Sequence, residues 1–228
     1  SQLVVDQPWI AEIDINPLLA SEDRLIALDA RVVLHDAAKS EADLPRCAIR
    51  SYPVQYVQRI HLSDGTPLTI RPIRPEDETL MVEFHKRLSE RTVRQRYFHA
   101  IKLSQRVAHE RLIRVCFNDF DRDMALVVEG RTGGGNDPRQ ILAVGRLSRH
   151  QGRPEAEFAL LVVDDWQRRG IGTRLLAALL DLGRAEGLRR IVADILPDNL
   201  EMQKTCQKLG FQLTRSIDDQ VVRASMDL

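Results

Sequence analysis

Apolar and polar residues alternate along the first 34 positions with the period of two, which is typical of β-strands with one buried face. A polar turn at residues 21–24 separates two such runs. The second run places on one face Ile26, Leu28, Ala30, Val32 and Leu34. The pattern predicts a β-hairpin over residues 10–34. Because a lone hairpin is marginally stable in water, we expect it to pack on the rest of this chain or on a domain outside it.

Periodicity is lost over residues 39–55, which contain Pro45 and Pro53, and this stretch is predicted to be a linker. We therefore expect a hairpin segment at residues 1–38 and a separate domain at residues 56–228. In that domain a hairpin is predicted around Ser63-Asp64-Gly65, followed by a helix beginning in PEDETLMVEFHKRLSE and a second helix over residues 105–115.

The second half of the chain alternates between strand-like and helix-like segments. The predicted strands are MALVVEG, ILAVGRLSRH, EAEFALLVV, RRIVADIL, FQLTR and VVRASMDL. The predicted helices are GIGTRLLAALLDLGRAEG and NLEMQKTCQKLG. The loop RTGGGNDPRQ lacks the lysine and hydroxyl residue of a P-loop, so it is predicted to be a hairpin connection. This order of elements predicts an α+β or mixed α/β domain.

Composition narrows the class of protein. Thirty-three basic residues balance thirty-three acidic ones, so no overall basic excess indicates nucleic-acid binding. Three separated cysteines indicate neither a disulfide framework nor a zinc site, and NDFDRDM lacks the glycine and glutamate of an EF-hand. We therefore predict no metal. With no apolar run of about 18 residues and no signal peptide, the expected location is the cytoplasm, without membrane association.

The stretch WQRRGIGTRLL joins a strand to a helix through two glycines. Unpaired backbone N–H groups at a helix N-terminus form an anion site, and Gly170 and Gly172 leave room for a pyrophosphate. Tight strand–helix packing is the alternative explanation for the two glycines. The dinucleotide fingerprint is excluded because its third glycine position is Leu175.

The segment from Gln167 to Gly172 has the form Q/R-x-x-G-x-G/A, between AEFALLVVDDW and DILPDNLEMQKTCQKLGF. Together these motifs resemble the GNAT acyltransferase superfamily over residues 66–228. The resemblance implies a central mixed, mostly antiparallel sheet, flanked by helices, with a splayed parallel strand pair. It also implies acetyl-CoA as cosubstrate. The residues expected to bind it in the loop are Gln167, Arg168, Arg169, Gly170, Ile171, Gly172 and Thr173.

The resemblance further assigns roles on the strands and the next helix. The pantetheine arm would lie along Leu161, Val162 and Val163, with the N–H of Leu161 polarising the thioester carbonyl and Val163 pairing with pantetheine. Asn199 would contact the cofactor, or be an ordinary N-cap.

Amine acetylation needs a neutral amine, and a lysine at pH 7 is neutral only at a cost of about 4.6 kcal/mol. A general base lowers that cost. Glu157, in phase with Ala159 and Leu161, matches the family's catalytic glutamate and is predicted to act through a water. Many relatives place a general-acid tyrosine where this chain has Cys206. A buried cysteine is usually a small hydrophobic residue, so the acid stays unassigned.

EIDINPLLASEDRLIALDARVVL resembles the closing hairpin of the ATP-grasp domain in NDP-forming acyl-CoA synthetases, where residues matching Asn16 and Asp29 bind magnesium with nucleotide. Because most of that domain is absent, no ATP binding is expected. Such a region before a GNAT domain resembles bacterial Pat-type protein lysine acetyltransferases. These acetylate, and thereby inactivate, AMP-forming acyl-CoA synthetases at the active-site lysine.

Basic residues are concentrated between Lys86 and Arg114. Arg91, Arg94 and Arg96 could dock an acidic protein surface, or belong to a solvated helical face. Nucleic-acid binding is not predicted, since no recognised motif accompanies these charges. A GNAT enzyme for small amines and a non-catalytic acyl-CoA sensor remain alternatives to protein lysine acetylation.

Overall fold

The computed structural model describes residues 3, 7–40, 43–45, 52–120, 122–131, 138–150, 152–215 and 220–228. The chain forms two compact units, Ser1–Tyr52 and Pro53–Leu228.

The first unit contains the predicted hairpin, with each long strand divided in two. Strands β1 (Ile10–Ile15) and β4 (Ala30–Leu34) pair with each other, as do β2 (Leu18–Ala20) and β3 (Leu25–Ala27). The predicted polar turn joins β2 to β3. The face predicted to be apolar is largely exposed in this chain, at Leu28, Val32 and Leu34 among others.

The second unit is built on one eight-stranded sheet. Its strands are β5 (Gln58–His61), β6 (Pro67–Pro72), β7 (Asp123–Gly130), β8 (Gln140–Arg149), β9 (Glu155–Val162), β10 (Arg190–Ile195), β11 (Gln212–Arg215) and β12 (Val222–Asp227). They lie in the order β11-β12-β10-β9-β8-β7-β6-β5. Among the described strands, β9 and β10 are parallel and every other neighbouring pair in this sheet is antiparallel. This confirms the predicted mostly antiparallel mixed sheet.

Six α-helices are described in the second unit. They are α1 (Glu78–Lys86), α2 (Glu90–Tyr97), α3 (Leu103–Arg106), α4 (His109–Cys116), α5 (Ile171–Ala185) and α6 (Leu200–Lys208). Four of them lie between β6 and β7, where two were predicted.

Local caps explain the two additional helices. Ser89 has an extended backbone, and its Oγ accepts a hydrogen bond from the Thr92 N–H at 3.2 Å, so a new helix begins there. The helix predicted over residues 105–115 is divided before His109, because Ala108 leaves the helical conformation at ψ 131°. Apolar periodicity alone does not reveal such breaks.

Helix α5 has the predicted buried side, formed by Ile171, Leu175, Leu179 and Leu182. It packs on β8, where a Cβ added to Gly145 would meet Leu179 Cδ1 at 2.9 Å. The missing side chain therefore lets the helix approach the sheet. The glycine-rich part of the β7–β8 loop, residues 132–137, lies outside the described residues.

Candidate active site

The parallel strands β9 and β10 separate part-way along their length. They pair at three positions, and the last pair is Glu157 with Val192. Beyond it β9 stays paired with β8 as far as Val162, while β10 stays paired with β12 as far as Ile195. A gap therefore opens between two strands that are each held on the outer side, as predicted for the splayed pair.

A cleft of about 960 Å³ surrounds this gap. The predicted site residues that line it are Glu157, Leu161, Val162, Gln167, Arg168, Arg169, Gly170, Gly172, Thr173 and Asn199. Two others, Val163 and Ile171, do not line it, because their side chains are buried in the core. The fold thus brings most of the predicted site residues, which span 43 positions of the sequence, into one cleft.

One end of the cleft is the N-terminus of α5. Gly170 precedes this helix in the left-handed conformation (φ 82°), and no side chain caps the first turn. The first backbone bond runs from the Arg174 N–H to the Gly170 carbonyl, so the N–H groups of residues 171–173 precede the helical ladder. Ile171 can therefore contribute its backbone although its side chain is buried. Such an uncapped terminus has the N–H groups and the positive end of the helix dipole that an anion needs.

Basic side chains reinforce that end. Arg168, Arg169 and Arg174 line the cleft, and the Arg169 guanidinium lies 4.7 Å from the Trp166 ring centroid, in a cation–π contact. A Cβ added to Gly172 would be 3.7 Å from Leu160 Cδ2, so Gly172 leaves space between the helix and the edge of β9. The local charge and the open space both suit a phosphate group.

The register of β9 corrects the predicted role of Leu161. The Val163 N–H donates to the Leu142 carbonyl of β8 at 3.0 Å, and the ladder between the two strands is regular. Antiparallel pairs alternate between bonded and non-bonded, so the next bonded pair is Leu161 with Val144. The Leu161 N–H therefore faces β8 and not the gap. The Leu160 and Val162 amides face the gap instead.

Val163 likewise does not fit the predicted pairing with pantetheine. Its N–H is bonded to Leu142, and its carbonyl accepts a hydrogen bond from the Trp166 N–H at 2.9 Å. Both backbone groups are engaged inside the protein. Val163 therefore ends the strand and begins the short 3₁₀ turn Asp164–Trp166.

Side-chain hydrogen bonds join the glycine loop to α2. Gln167 Nε2 donates to the Val162 carbonyl at 3.0 Å and to Thr92 Oγ1 at 3.1 Å. Thr92 Oγ1 in turn donates to Asp164 Oδ1 at 3.0 Å. The other donors to Asp164 are the Ser89 hydroxyl (2.6 Å) and backbone N–H (2.9 Å). Gln167 thus positions the loop through its side chain, and α2 is fixed to the end of β9.

Glu157 lies at the opposite end of the cleft from the α5 terminus. Side chains alternate along a strand, so Glu157 is on the face of β9 opposite Leu160 and Val162. Its side chain is exposed and borders the cleft. Burial lowers the pKa of the nearby Arg96 guanidinium, while Tyr97 and the Glu157 carboxylate oppose that shift. The Glu157 carboxylate therefore acts on a charge in the last turn of α2.

The three arginines predicted to dock a partner have different surroundings. Arg94 forms an exposed ion pair with Asp198 at 2.8 Å. Arg96 is half-buried, lines the cleft, and lies 5.0 Å from the Tyr97 ring centroid. Arg91 lines the cleft from an exposed position. A docking surface centred on Arg91 and Arg96 would thus open directly into the cleft.

Asn199 and Cys206 lie on α6. Asn199 is the N-cap, since its Oδ1 accepts from the Met202 N–H at 3.2 Å, and it also borders the cleft. Cys206 is fully buried and does not border the cleft, and burial raises its thiol pKa to about 12. A thiol in that position cannot exchange protons with a substrate. Its environment is that of a small hydrophobic residue.

Sequence reasoning missed many residues that line the cleft, among them Thr92, Phe98, Leu160 and Asp164. The alternation of β9 gave a signal for Leu160, but its direction depends on the register with β8. Thr92 and Phe98 belong to a helix that was not predicted as a separate element, and Asp164 begins the short turn after β9. Within the described residues, no cluster of three or more His, Cys, Asp or Glu side chains could hold a metal, and no helix is long and apolar enough to cross a membrane.

The splayed strands and the uncapped helix terminus together define an acyl-CoA-dependent transferase fold. A family model described as "Acetyltransferase (GNAT) domain" matches residues 67–212. The chain belongs to the GNAT acetyltransferase family, whose members bind acetyl-CoA or CoA. A second model, described as "ATP-grasp domain", matches residues 1–34.

Two curated relatives have similar sequences. Acetyltransferase PA5475 of Pseudomonas aeruginosa is 29% identical over 158 residues, which are 69% of this chain and 82% of that protein. Acetyltransferase Pat of Mycolicibacterium smegmatis is 29% identical over 170 residues, which are 74% of this chain and 48% of that protein. The match therefore spans about half the length of that second relative.

A solved structure with the same fold is the GNAT domain of S. lividans PAT. It matches with a TM-score of 0.69 and 29% identity, covering 78% of this chain and 100% of that domain.

Proposed function

We propose that this chain transfers an acetyl group from acetyl-CoA to the side-chain amine of a protein lysine, with Glu157 as general base in a direct ternary complex. The observation that carries the proposal is the cleft between β9 and β10. An uncapped helix N-terminus borders it at one end and an exposed carboxylate at the other. The cleft therefore runs from an anion site at the N-terminus of α5 to a base, Glu157, on β9.

Acetyl-CoA fits the cofactor end on three structural grounds. The first turn of α5 has unpaired N–H groups, Gly170 and Gly172 present no side chain, and arginines surround the terminus. We assign the pyrophosphate to the N–H groups of residues 169–173, with Arg168 adding charge. Gln167 holds the loop in place, and Asn199 borders the cleft beside α6.

The open edge of β9 supplies the donor for acyl transfer. When bound, acetyl-CoA supplies an activated acyl group as a thioester. A fixed N–H that points at the thioester oxygen stabilises the negative charge that develops there, and such donors contribute about 10²–10³ in rate. Because the register turns Leu161 away, we assign this role to the Leu160 N–H, with Val162 beside it on the same edge.

Glu157 is assigned to remove the proton from the acceptor amine. Its exposed position suits transfer through a water molecule, and positioned bases contribute about 10²–10⁴ in rate. The positive charges of Arg91 and Arg96 further disfavour an ammonium at this end of the cleft, because like charges lower an amine pKa. With Cys206 buried, solvent is the source of the proton for the departing CoA thiolate.

The protein acceptor is supported by the resemblance to Pat-type enzymes and by 29% identity to a relative named Pat. That resemblance points to the active-site lysine of an AMP-forming acyl-CoA synthetase, whose acetylation would lower its activity. Arg91 and Arg96 at the mouth of the cleft would contact acidic residues around the target lysine, with Arg94 at the rim.

The proposal is tested by incubating the chain with acetyl-CoA and an AMP-forming acetyl-CoA synthetase. Intact mass and peptide mapping should show one acetyl group on the active-site lysine, and none when that lysine is arginine. Parallel reactions contain a panel of small amines, and calorimetry measures acetyl-CoA binding. Acetylation of small amines alone would reject the protein acceptor. Binding without any acetylation would favour an acyl-CoA sensor.

A further inference from the structure

Helix α2 ends in an unusual conformation for a bulky residue. Phe98 is the C-cap, with left-handed backbone angles (φ 65°), and its N–H donates to the Arg94 carbonyl at 2.8 Å. A side chain with a Cβ is strained in this region of backbone space, which is why glycine usually ends helices this way. The position therefore costs stability when it is occupied by phenylalanine.

The same chain uses glycine where other helices end. Gly187 follows α5 with φ 72°, and Gly210 follows α6 with φ 92°. Both positions lie outside the lining of the cleft. Of these three helix ends, the one in the cleft wall is the end of α2, and it is the one that carries a strained aromatic residue in place of glycine.

Packing does not explain the aromatic ring. Phe98 is 42% exposed, and it does not belong to the buried core of the unit or to the described residues packed against it. Exposed aromatic surface in a cleft, held by a strained backbone, is a pattern found at binding sites. We therefore expect the ring to contact a molecule bound in the cleft and to contribute little to the stability of the fold.

The position of the ring identifies the occupant. Helix α2 begins at the glycine loop, where Thr92 is hydrogen-bonded to Gln167 and Asp164, and it ends at Phe98, so the ring lies a helix length from that loop. Arg96, two residues earlier, lines the cleft together with Glu157, whose carboxylate opposes the lowering of the Arg96 pKa by burial. The group that must approach Glu157 is the acceptor amine. For a lysine, that amine stands at the end of a four-carbon apolar stem.

We propose that Phe98 determines acceptor specificity by packing its ring against the hydrocarbon stem of the incoming lysine. This inference rests on the proposed function. The contact removes the stem from water and aligns the amine with Glu157, and apolar surroundings favour the neutral amine that attacks. An acceptor without an aliphatic stem loses this contact.

The test compares Phe98→Gly with the parent chain and with a control, Phe117→Ala. Phe117 is also an exposed phenylalanine, at 58%, but it lies outside the cleft lining. For Phe98→Gly we expect a KM for the protein acceptor about tenfold higher, an unchanged Kd for CoA by calorimetry, and a Tm equal to or above that of the parent. The control should leave the acceptor KM within twofold.

Each outcome separates the inference from the proposed function. A parent-like acceptor KM in Phe98→Gly would overturn the inference while leaving protein acetylation intact. A lower Tm together with weaker CoA binding would also overturn it, because the ring would then support the fold. If the parent binds CoA but acetylates no protein, the proposed function fails, and the inference fails with it. Recovery of the KM in Phe98→Tyr would support the contact.

Discussion

The two ends of the cleft are built from different parts of the polypeptide. The end proposed for the cofactor is largely backbone: the first turn of α5, two glycines and the free edge of β9. The end proposed for the acceptor consists of side chains, chiefly Arg91, Arg96 and Phe98 on α2 and Glu157 on β9. A backbone site depends on conformation and tolerates many sequences, whereas a side-chain site changes with each substitution. Members of one family can therefore bind the same acyl donor and act on different acceptor substrates.

The largest effect is expected at Glu157, where a substitution should slow the chemical step without changing cofactor binding. Replacing Glu157 with glutamine removes the proposed base, so kcat should fall by about 10²–10⁴ while the Kd for CoA stays unchanged. Single-turnover kinetics and calorimetry measure the two quantities. Glu155→Gln is the matched control, since this glutamate is on the same strand and face but outside the cleft lining. A parent-like kcat in Glu157→Gln would remove it as the base.

Whether the cofactor is bound mainly by backbone groups can be tested at Gly170. Gly170→Ala puts a Cβ on a left-handed residue beside the anion site, and the Kd for CoA should rise about tenfold, or 1.4 kcal/mol. Gly187→Ala imposes the same kind of strain at the other end of α5, away from the cleft (φ 72°). Both variants should lose similar thermal stability, and only the first should bind CoA more weakly. Equal Kd values would contradict a phosphate site at Gly170.

Thr92 connects the two ends of the cleft through the hydrogen bonds of its side chain. Thr92→Val keeps the shape but removes the hydroxyl that accepts from Gln167 and donates to Asp164. We expect the KM values for CoA and for the acceptor each to rise about fivefold, in line with roughly 1 kcal/mol for one net hydrogen bond. Thr92→Ser restores the hydroxyl and should restore both values. If only stability changes, the network has no role in aligning the substrates.

The smallest effect is expected at Cys206. Because burial raises its thiol pKa to about 12, Cys206 should resist iodoacetamide at pH 8 in the folded chain and react in denaturant. Cys206→Ala should leave kcat and its pH profile within twofold, with a lower Tm from the cavity. Peptide mass spectrometry follows the alkylation. A shifted pH profile would make Cys206 a proton donor after all.

Sequence patterns predicted the succession of strands and helices in the second half of the chain, because it depends on local features. The hairpin at Ser63-Asp64-Gly65 and the buried side of α5 follow from periodicity and turn residues, and the structure confirms both. The helical region between β6 and β7 was harder to predict. Its short helices are separated by caps, such as Ser89, whose effect depends on backbone conformation.

The sequence by itself determined the mixed α/β class of fold, through its periodicity and turn residues, and it selected the loop with Gly170 and Gly172 as the candidate anion site. Only the tertiary structure decided which amide faces the gap. A strand of period two presents its N–H groups alternately to each side, and the pairing of Val163 with Leu142 selects Leu160 over Leu161. Burial of Cys206 and exposure of Phe98 likewise depend on packing between distant segments, which no local pattern records.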